Sequence, residues 1–210
     1  MTQGVVLARD GDTFTLSLPL DAPVNWKPVL NDVTYAIGPN YTVAPGQTVE
    51  IWPHFTQTTG QVVTLIGAFQ STLLGNSRPI YAYLPPTYIE NTLARFPVVY
   101  MNDGQNLWAA HPEWAFGGIT WQVDTAFDIA AGNGSIAEAI VIGVASTANR
   151  IFEYTPTDDP NFTGDGGADL YLRMLVEELK PVVDGLLRTR PEVESTVMAG
   201  SSLGGLVTAY

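Results

Sequence analysis

The chain has no cysteine, two histidines and two lysines among its 210 residues. The missing cysteine excludes a disulfide framework, a thiol nucleophile, iron–sulfur clusters and cysteine zinc sites. His54 and His111 are too few and too far apart for a histidine-rich metal site, so neither a metal nor a cofactor is expected. Catalysis that needs a histidine base has two candidates in this chain, or none. Nine basic residues against twenty-one acidic ones give a formal charge of −12. Such a chain repels phosphate backbones and anionic membrane surfaces, which argues against nucleic-acid and membrane-surface partners. No apolar run reaches the 18 or more residues of a membrane span, and Met1–Asp10 lacks the basic and apolar regions of a signal peptide. A secreted protein whose leader has been removed would look the same, so the compartment stays open, with a secreted or periplasmic location favoured over a cytoplasmic one.

What is present is core material, with 46% hydrophobic and 10% aromatic residues. Over residues 1–56 the pattern reads as β. Thr13–Leu18 alternates strictly, and Tyr41–Val43, a Pro45-Gly46 turn and Thr48–Trp52 read as strand, turn, strand. A small β-sandwich is expected there, with Trp26, Trp52, Tyr35 and Tyr41 either in its core or as sugar-stacking platforms. From residue 57 strands and helices alternate. Val62–Ile66, Ile80–Leu84, Phe96–Met101, Ala139–Val144 and Thr196–Ala199 read as strands. The second is stopped by Pro85-Pro86, and the third and fourth are apolar enough to be buried on both faces. Helices are expected over Trp121–Ala131, Gly167–Leu187 and Leu203–Tyr210, with Pro181 kinking or splitting the second near Lys180. Together these predict an α/β domain over residues 57–210 with a largely parallel sheet.

Gly200-Ser201-Ser202-Leu203-Gly204 fits G-x-S-x-G with Ser202 at its centre. A nucleophilic serine is best exposed on a sharp strand-to-helix turn, and only glycines fit beside it. The Leu203 N–H can then donate to a developing oxyanion. Met101-Asn102-Asp103-Gly104-Gln105 follows the central strand. In an α/β-hydrolase such a loop supplies the second oxyanion donor, making the Gly104 and Gln105 N–H groups candidates; a plain Asp-Gly turn is the other reading. Asp159–Asp165 follows the start of a calcium loop, but its twelfth position is Leu170 rather than glutamate, so an acidic solvated loop is expected. His111-Pro112-Glu113 lacks the helical spacing of a zinc pair, and His111 reads as a loop residue near the mouth of the site.

Beyond these motifs, four stretches resemble the esterase family of α/β-hydrolases that includes feruloyl, acetylxylan and enterochelin esterases, S-formylglutathione hydrolases and mycolyltransferases. They are Arg78–Tyr88, Phe96–Leu107, Asn149–Pro156 and Gly200–Gly205. The N-terminal part, notably Trp26–Asn31 and Gly38–Tyr41, resembles the starch-binding-type β-sandwich appended to such esterases. The resemblance implies Ser202 as nucleophile of a carboxylic-ester hydrolase, with Leu203 and the Gly104–Gln105 region as oxyanion donors. It also implies an acid and then a histidine after the nucleophile strand, and neither His54 nor His111 holds that place. The chain therefore reads as the N-terminal part of an esterase, inactive alone, acting on an ester of a carbohydrate or other small molecule. Carbohydrate binding through Trp26 or Trp52 with a non-catalytic hydrolase scaffold, and acyl transfer in place of hydrolysis, are the alternatives. Trp108, Trp114 and Phe116 are expected to wall an acyl pocket.

Overall fold

The computed structural model describes residues 4–158 and 166–210. Its N-terminal segment contains three antiparallel ribbons. They pair β1 (Ala8–Asp10) with β2 (Thr13–Thr15), β3 (Val24–Trp26) with β6 (Tyr41–Val43), and β4 (Val29–Leu30) with β5 (Thr34–Tyr35). These are separate ribbons, not the two facing sheets expected of a sandwich. The strands are two or three residues long, and Ala36 is the one buried apolar residue among those described before Gly60. Phe14, Leu16 and Leu18 keep their alternation yet stand exposed, because no second sheet covers them. Thr48–Trp52 forms no strand. The chain there is fastened to the larger domain instead. Glu90 accepts hydrogen bonds from the Phe55, Thr56 and Gln57 N–H groups and the Thr56 hydroxyl, at 2.6–2.8 Å.

The larger domain is built on five strands: β7 (Gln61–Ser71), β8 (Asn76–Leu84), β9 (Val98–Asn102), β10 (Ile140–Val144) and β11 (Thr196–Ala199), in the spatial order β11-β9-β10-β8-β7. The expected strand positions are all occupied, but the sheet is mixed, not largely parallel. β9 runs parallel to both β10 and β11, whereas β8 is antiparallel to β10 and to β7. The short connection from Ser71 to Asn76 closes β7 and β8 as a hairpin, and so short a link cannot make a parallel crossover.

Pleat alternation divides the core. Ile80, Ala82, Val98, Tyr100, Ile140, Ile142 and Val144 face one side, against Tyr171, Met174, Leu179 and Val183. Tyr81, Tyr83 and Val141 face the other, against Leu107, Trp108, Val123 and Phe127. The helices are α1 (Pro86–Glu90), α2 (Val123–Gly132), α3 (Arg150–Tyr154), α4 (Ala168–Arg173), α5 (Lys180–Leu186) and α6 (Leu203–Ala209). Pro86 sits in the first turn of α1, where its missing N–H costs nothing. Between α4 and α5 the chain stays helical through a π-helical stretch, Met174–Leu179, where the Lys180 N–H reaches back to the Leu175 carbonyl. Pro181 neither breaks nor splits the helix. The wider turn before it accommodates the ring that an α-helical carbonyl four residues back would obstruct.

Candidate active site

Strands β9 and β11 are neighbours in parallel register, with Ala199 opposite Met101. The loops that follow them therefore leave the sheet side by side at its C-terminal edge. That placement brings Gly200–Gly204 against Asn102–Gln105, although about a hundred residues separate them in sequence.

After β11 the chain turns sharply into α6, with exposed Ser202 at φ 56°, ψ −125°. A serine in that conformation stores roughly 1–3 kcal/mol of strain, which the surroundings must outweigh. They do so by close packing: a Cβ on Gly200 would overlap the Gly204 carbonyl and lie 2.9 Å from Asn102 Nδ2, and one on Gly204 would lie 3.1 Å from the Asn102 Cβ. The Gly204 N–H donates to the Ser201 carbonyl and the Leu206 N–H to the Ser202 carbonyl.

Asn102 ties the two loops together. Its amide donates to the Gly204 carbonyl at 2.8 Å and to the Thr208 hydroxyl at 3.1 Å, and its carbonyl accepts the Tyr171 hydroxyl at 2.6 Å. Burial pushes the Tyr171 hydroxyl pKa up, with the neighbouring Tyr154 adding to the shift, so it stays protonated and can donate. Asp103 follows in a left-handed conformation (φ 57°, ψ 44°). Its carboxylate, almost wholly buried, takes two bonds from Arg150, Nε to Oδ1 at 2.6 Å and Nη2 to Oδ2 at 2.8 Å. Gly104 then starts a short 3₁₀ turn whose backbone lies directly on that of Gly143 in β10. The Gln105 side chain clamps Ser146, donating to its hydroxyl at 2.8 Å and accepting its N–H at 3.0 Å. Among the described residues, the N–H groups of Gly104, Gln105 and Leu203 donate to no other turn or loop carbonyl.

Ser202 and Leu203 thus stand on the turn after β11, beside the loop after β9 that carries Gly104 and Gln105, all four read from sequence. Asn102, Arg150, Tyr171 and Gly143 were missed, since a strand-end Asn and a lone Arg carry no signal of contacts so distant in sequence. His111 Nδ1 is 2.9 Å from a Glu113 carboxylate oxygen, and its ring stacks on Trp114 at 3.9 Å, which in turn stacks on Tyr81 at 4.3 Å. His54 Nδ1 lies 3.0 Å from the Thr87 hydroxyl, and no histidine is bonded to Ser202 among the described residues. Trp108 does not wall a pocket: it is fully buried in the core. Trp114 is held in the ring stack, which leaves Phe116 as the exposed aromatic of the three.

Elsewhere, a cavity of about 330 Å³ opens where the parallel strands begin, bounded by Phe96, Pro97 and Glu138 and by Tyr41, Trp52 and His54 of the N-terminal segment. It lies at the sheet end opposite Ser202. Trp52 lines it, while Trp26 packs on Tyr41 at 5.5 Å and Tyr35 is exposed, not part of a core. No cluster of three or more metal-ligating side chains occurs among the described residues, and the calcium-like stretch 159–165 lies outside them. No helix among the described residues is long and apolar enough to cross a membrane.

Strand order, hairpin edge and a strained serine between strand and helix define an α/β-hydrolase arrangement. Residues 71–209 match the family described as "Putative esterase", and the chain belongs to that family. It is 30% identical over 149 residues to the uncharacterized protein YbbA of Bacillus subtilis strain 168, covering 69% of this chain and 54% of that one. The chain thus spans about half the length of this curated relative. Among solved structures it is similar to an IroE-like serine hydrolase from Shewanella oneidensis, at 27% identity and TM-score 0.53, over 70% of this chain and 44% of the other. A ferulic acid esterase at 23% identity and TM-score 0.51, over 72% and 52% of the two chains, shares the fold.

Proposed function

We propose that this chain carries the nucleophile half of a serine carboxylic-ester hydrolase. The observation that carries the reading is the conformation of Ser202, strained and exposed between β11 and α6 beside a loop with unengaged N–H groups. In this reading Ser202 Oγ attacks the acyl carbon, and the Leu203, Gly104 and Gln105 N–H groups stabilise the oxyanion. The alcohol leaves, and water then releases the acid from the acyl-enzyme. Neither His54 nor His111 is hydrogen-bonded to Ser202 among the described residues, so neither is placed as the base in this reading. An ester of a carbohydrate or other small molecule is the proposed substrate.

Hydrolysis of p-nitrophenyl acetate by the natural full-length protein, its Ser202→Ala variant and residues 1–210 alone tests this. Losing the nucleophile should cost full-length turnover about 10⁴-fold or more, and residues 1–210 should be nearly inactive. An active Ser202→Ala variant would overturn the reading. Robust Ser202-dependent turnover by residues 1–210 would shift the base to His111.

The cavity beside Trp52 favours a second reading, in which the N-terminal segment binds a glycan. An aromatic face together with the Glu138 carboxylate and His54 suits a sugar ring. Quenching of tryptophan fluorescence by oligosaccharides, lost in Trp52→Ala, is the expected result; unchanged quenching in that variant counts against it.

A further inference from the structure

We propose that Arg150 is a positioning residue for the oxyanion loop, acting through Asp103; this rests on the esterase reading above. The argument turns on one peptide unit. The ψ angle of Asp103 sets the direction of the Gly104 N–H, because both belong to the plane that joins the two residues. Asp103 is one of five non-glycine residues with positive φ among those described, so this plane is held in a conformation the chain does not favour by itself.

Three contacts hold Asp103 there. Its N–H donates to the Tyr154 hydroxyl at 3.3 Å, and its carbonyl accepts the Asn106 N–H at 2.9 Å. Its carboxylate receives the two-pronged grip of Arg150, whose guanidinium also lies over the Tyr154 ring at 5.0 Å. Arg150 itself stands on a fixed base. It opens α3, and Glu153 in the same helix is locked by a fully buried ion pair to Arg78 on β8, at 2.7 Å. The clamp therefore refers the oxyanion loop to the rigid sheet. A Cβ on Gly204 would sit 3.3 Å from Asp103 Oδ2, so the clamped carboxylate also abuts the turn after Ser202.

The planar fork holds both carboxylate oxygens in two parallel bonds, a geometry that the compact lysine ammonium does not reproduce, so lysine is not an equivalent. The Arg150 side chain is 31% exposed, open enough for a small cation to replace its head group. No contact places Arg150 on the reacting atoms, so its loss should act on the transition state and not on substrate binding.

The test uses the natural full-length protein and p-nitrophenyl acetate, with Ser202→Ala, Arg150→Ala, Arg150→Lys and Asp103→Asn variants. Arg150→Ala should lower kcat by about 10²-fold, the scale of a misdirected oxyanion donor, with KM within about threefold. Millimolar guanidinium chloride should restore part of the loss in Arg150→Ala and none in Ser202→Ala, and Arg150→Lys should remain impaired. Asp103→Asn, which keeps the shape but loses the charge, should fall between wild type and Arg150→Ala. A kcat within threefold of wild type in Arg150→Ala, beside an inactive Ser202→Ala, overturns the Arg150 assignment alone. So does a loss that follows a lowered Tm and resists guanidinium. An active Ser202→Ala overturns the esterase reading and this inference with it.

Discussion

Gly104 and Gly143 meet backbone to backbone: a Cβ on Gly104 would overlap the Gly143 carbonyl group, and one on Gly143 would lie 3.1 Å from the Gly104 Cα. The second also meets Trp108 Cζ2 at 2.6 Å and Leu107 Cδ1 at 3.1 Å, both on fully buried side chains. Overpacking of this kind costs roughly 1–3 kcal/mol, so Gly143→Ala should lower Tm by roughly 2–12 °C. Gly104→Ala should cost more, because its clash is with main chain that cannot rotate away. Differential scanning calorimetry of the two variants checks the order, and a Gly104→Ala protein as stable as wild type would contradict this contact.

Arg78 and Glu153 form an ion pair with no side-chain exposure on either partner. The Glu153 carboxylate also accepts from Asn76 Nδ2 at 2.8 Å and Thr147 Oγ1 at 3.0 Å, and Arg78 lies over the Tyr171 ring. Removing one charge strands the other away from water, a loss of roughly 3–5 kcal/mol. Glu153→Ala should therefore depress Tm by roughly 6–20 °C. The double change Arg78→Met with Glu153→Leu should lose less than the single one, since no charge is then left buried. Urea melts of the single and double variants measure the difference.

Asn102 spends both ends of its side chain on the junction between β9, α6 and Tyr171. Asn102→Ala leaves the buried Tyr171 hydroxyl without its acceptor, at a cost of roughly 1–3 kcal/mol. Tyr171→Phe removes the same bond from the other side. The two changes should be non-additive, because each destroys one shared contact. A double-mutant cycle by chemical denaturation reads this directly, and strict additivity would show the bond to be energetically silent.

The parts of the fold legible in sequence were those with an unambiguous apolar signal. β10 is buried at every position and β9 alternates between buried and half-buried, as their continuous apolar runs demand. The Pro85-Pro86 pair ends β8 at Leu84, and the glycine-flanked Ser202 sits at a strand-to-helix turn. Alternation in residues 13–18 could not distinguish a ribbon from one sheet of a sandwich, because the pattern is the same whether or not a second layer arrives. α3 was invisible for the opposite reason. Asn149–Pro156 stood out only by its resemblance to the esterase family, and nothing local shows that Glu153 and Tyr154 are fully buried by partners more than 15 residues away. The same holds for the site. Gly104, Gln105 and Leu203 stand in local motifs, whereas the clamp from Arg150 to Asp103 spans 47 residues and appears only when β9 and β10 lie side by side.

Glu90 makes the attachment of the N-terminal segment dependent on pH. Partial burial would raise its pKa, but the Thr56 hydroxyl and the N–H groups of Phe55, Gln57 and Thr56 outweigh this and draw it from 4.5 down to about 2. A carboxylate whose pKa is lower folded than unfolded contributes stability above the unfolded value, and loses it as pH falls through the folded one. The contribution should thus be complete above about pH 5 and fade between there and about pH 2. Glu90→Gln removes it at every pH. The gap in Tm between wild type and Glu90→Gln should therefore be largest near neutrality and narrow steadily below about pH 4.5. Limited proteolysis after Thr56 should follow the same course, with wild type becoming as susceptible as the variant near pH 2. A gap that stays constant from neutrality to pH 2 would mean that the Glu90 charge does not hold residues 55–57 in place.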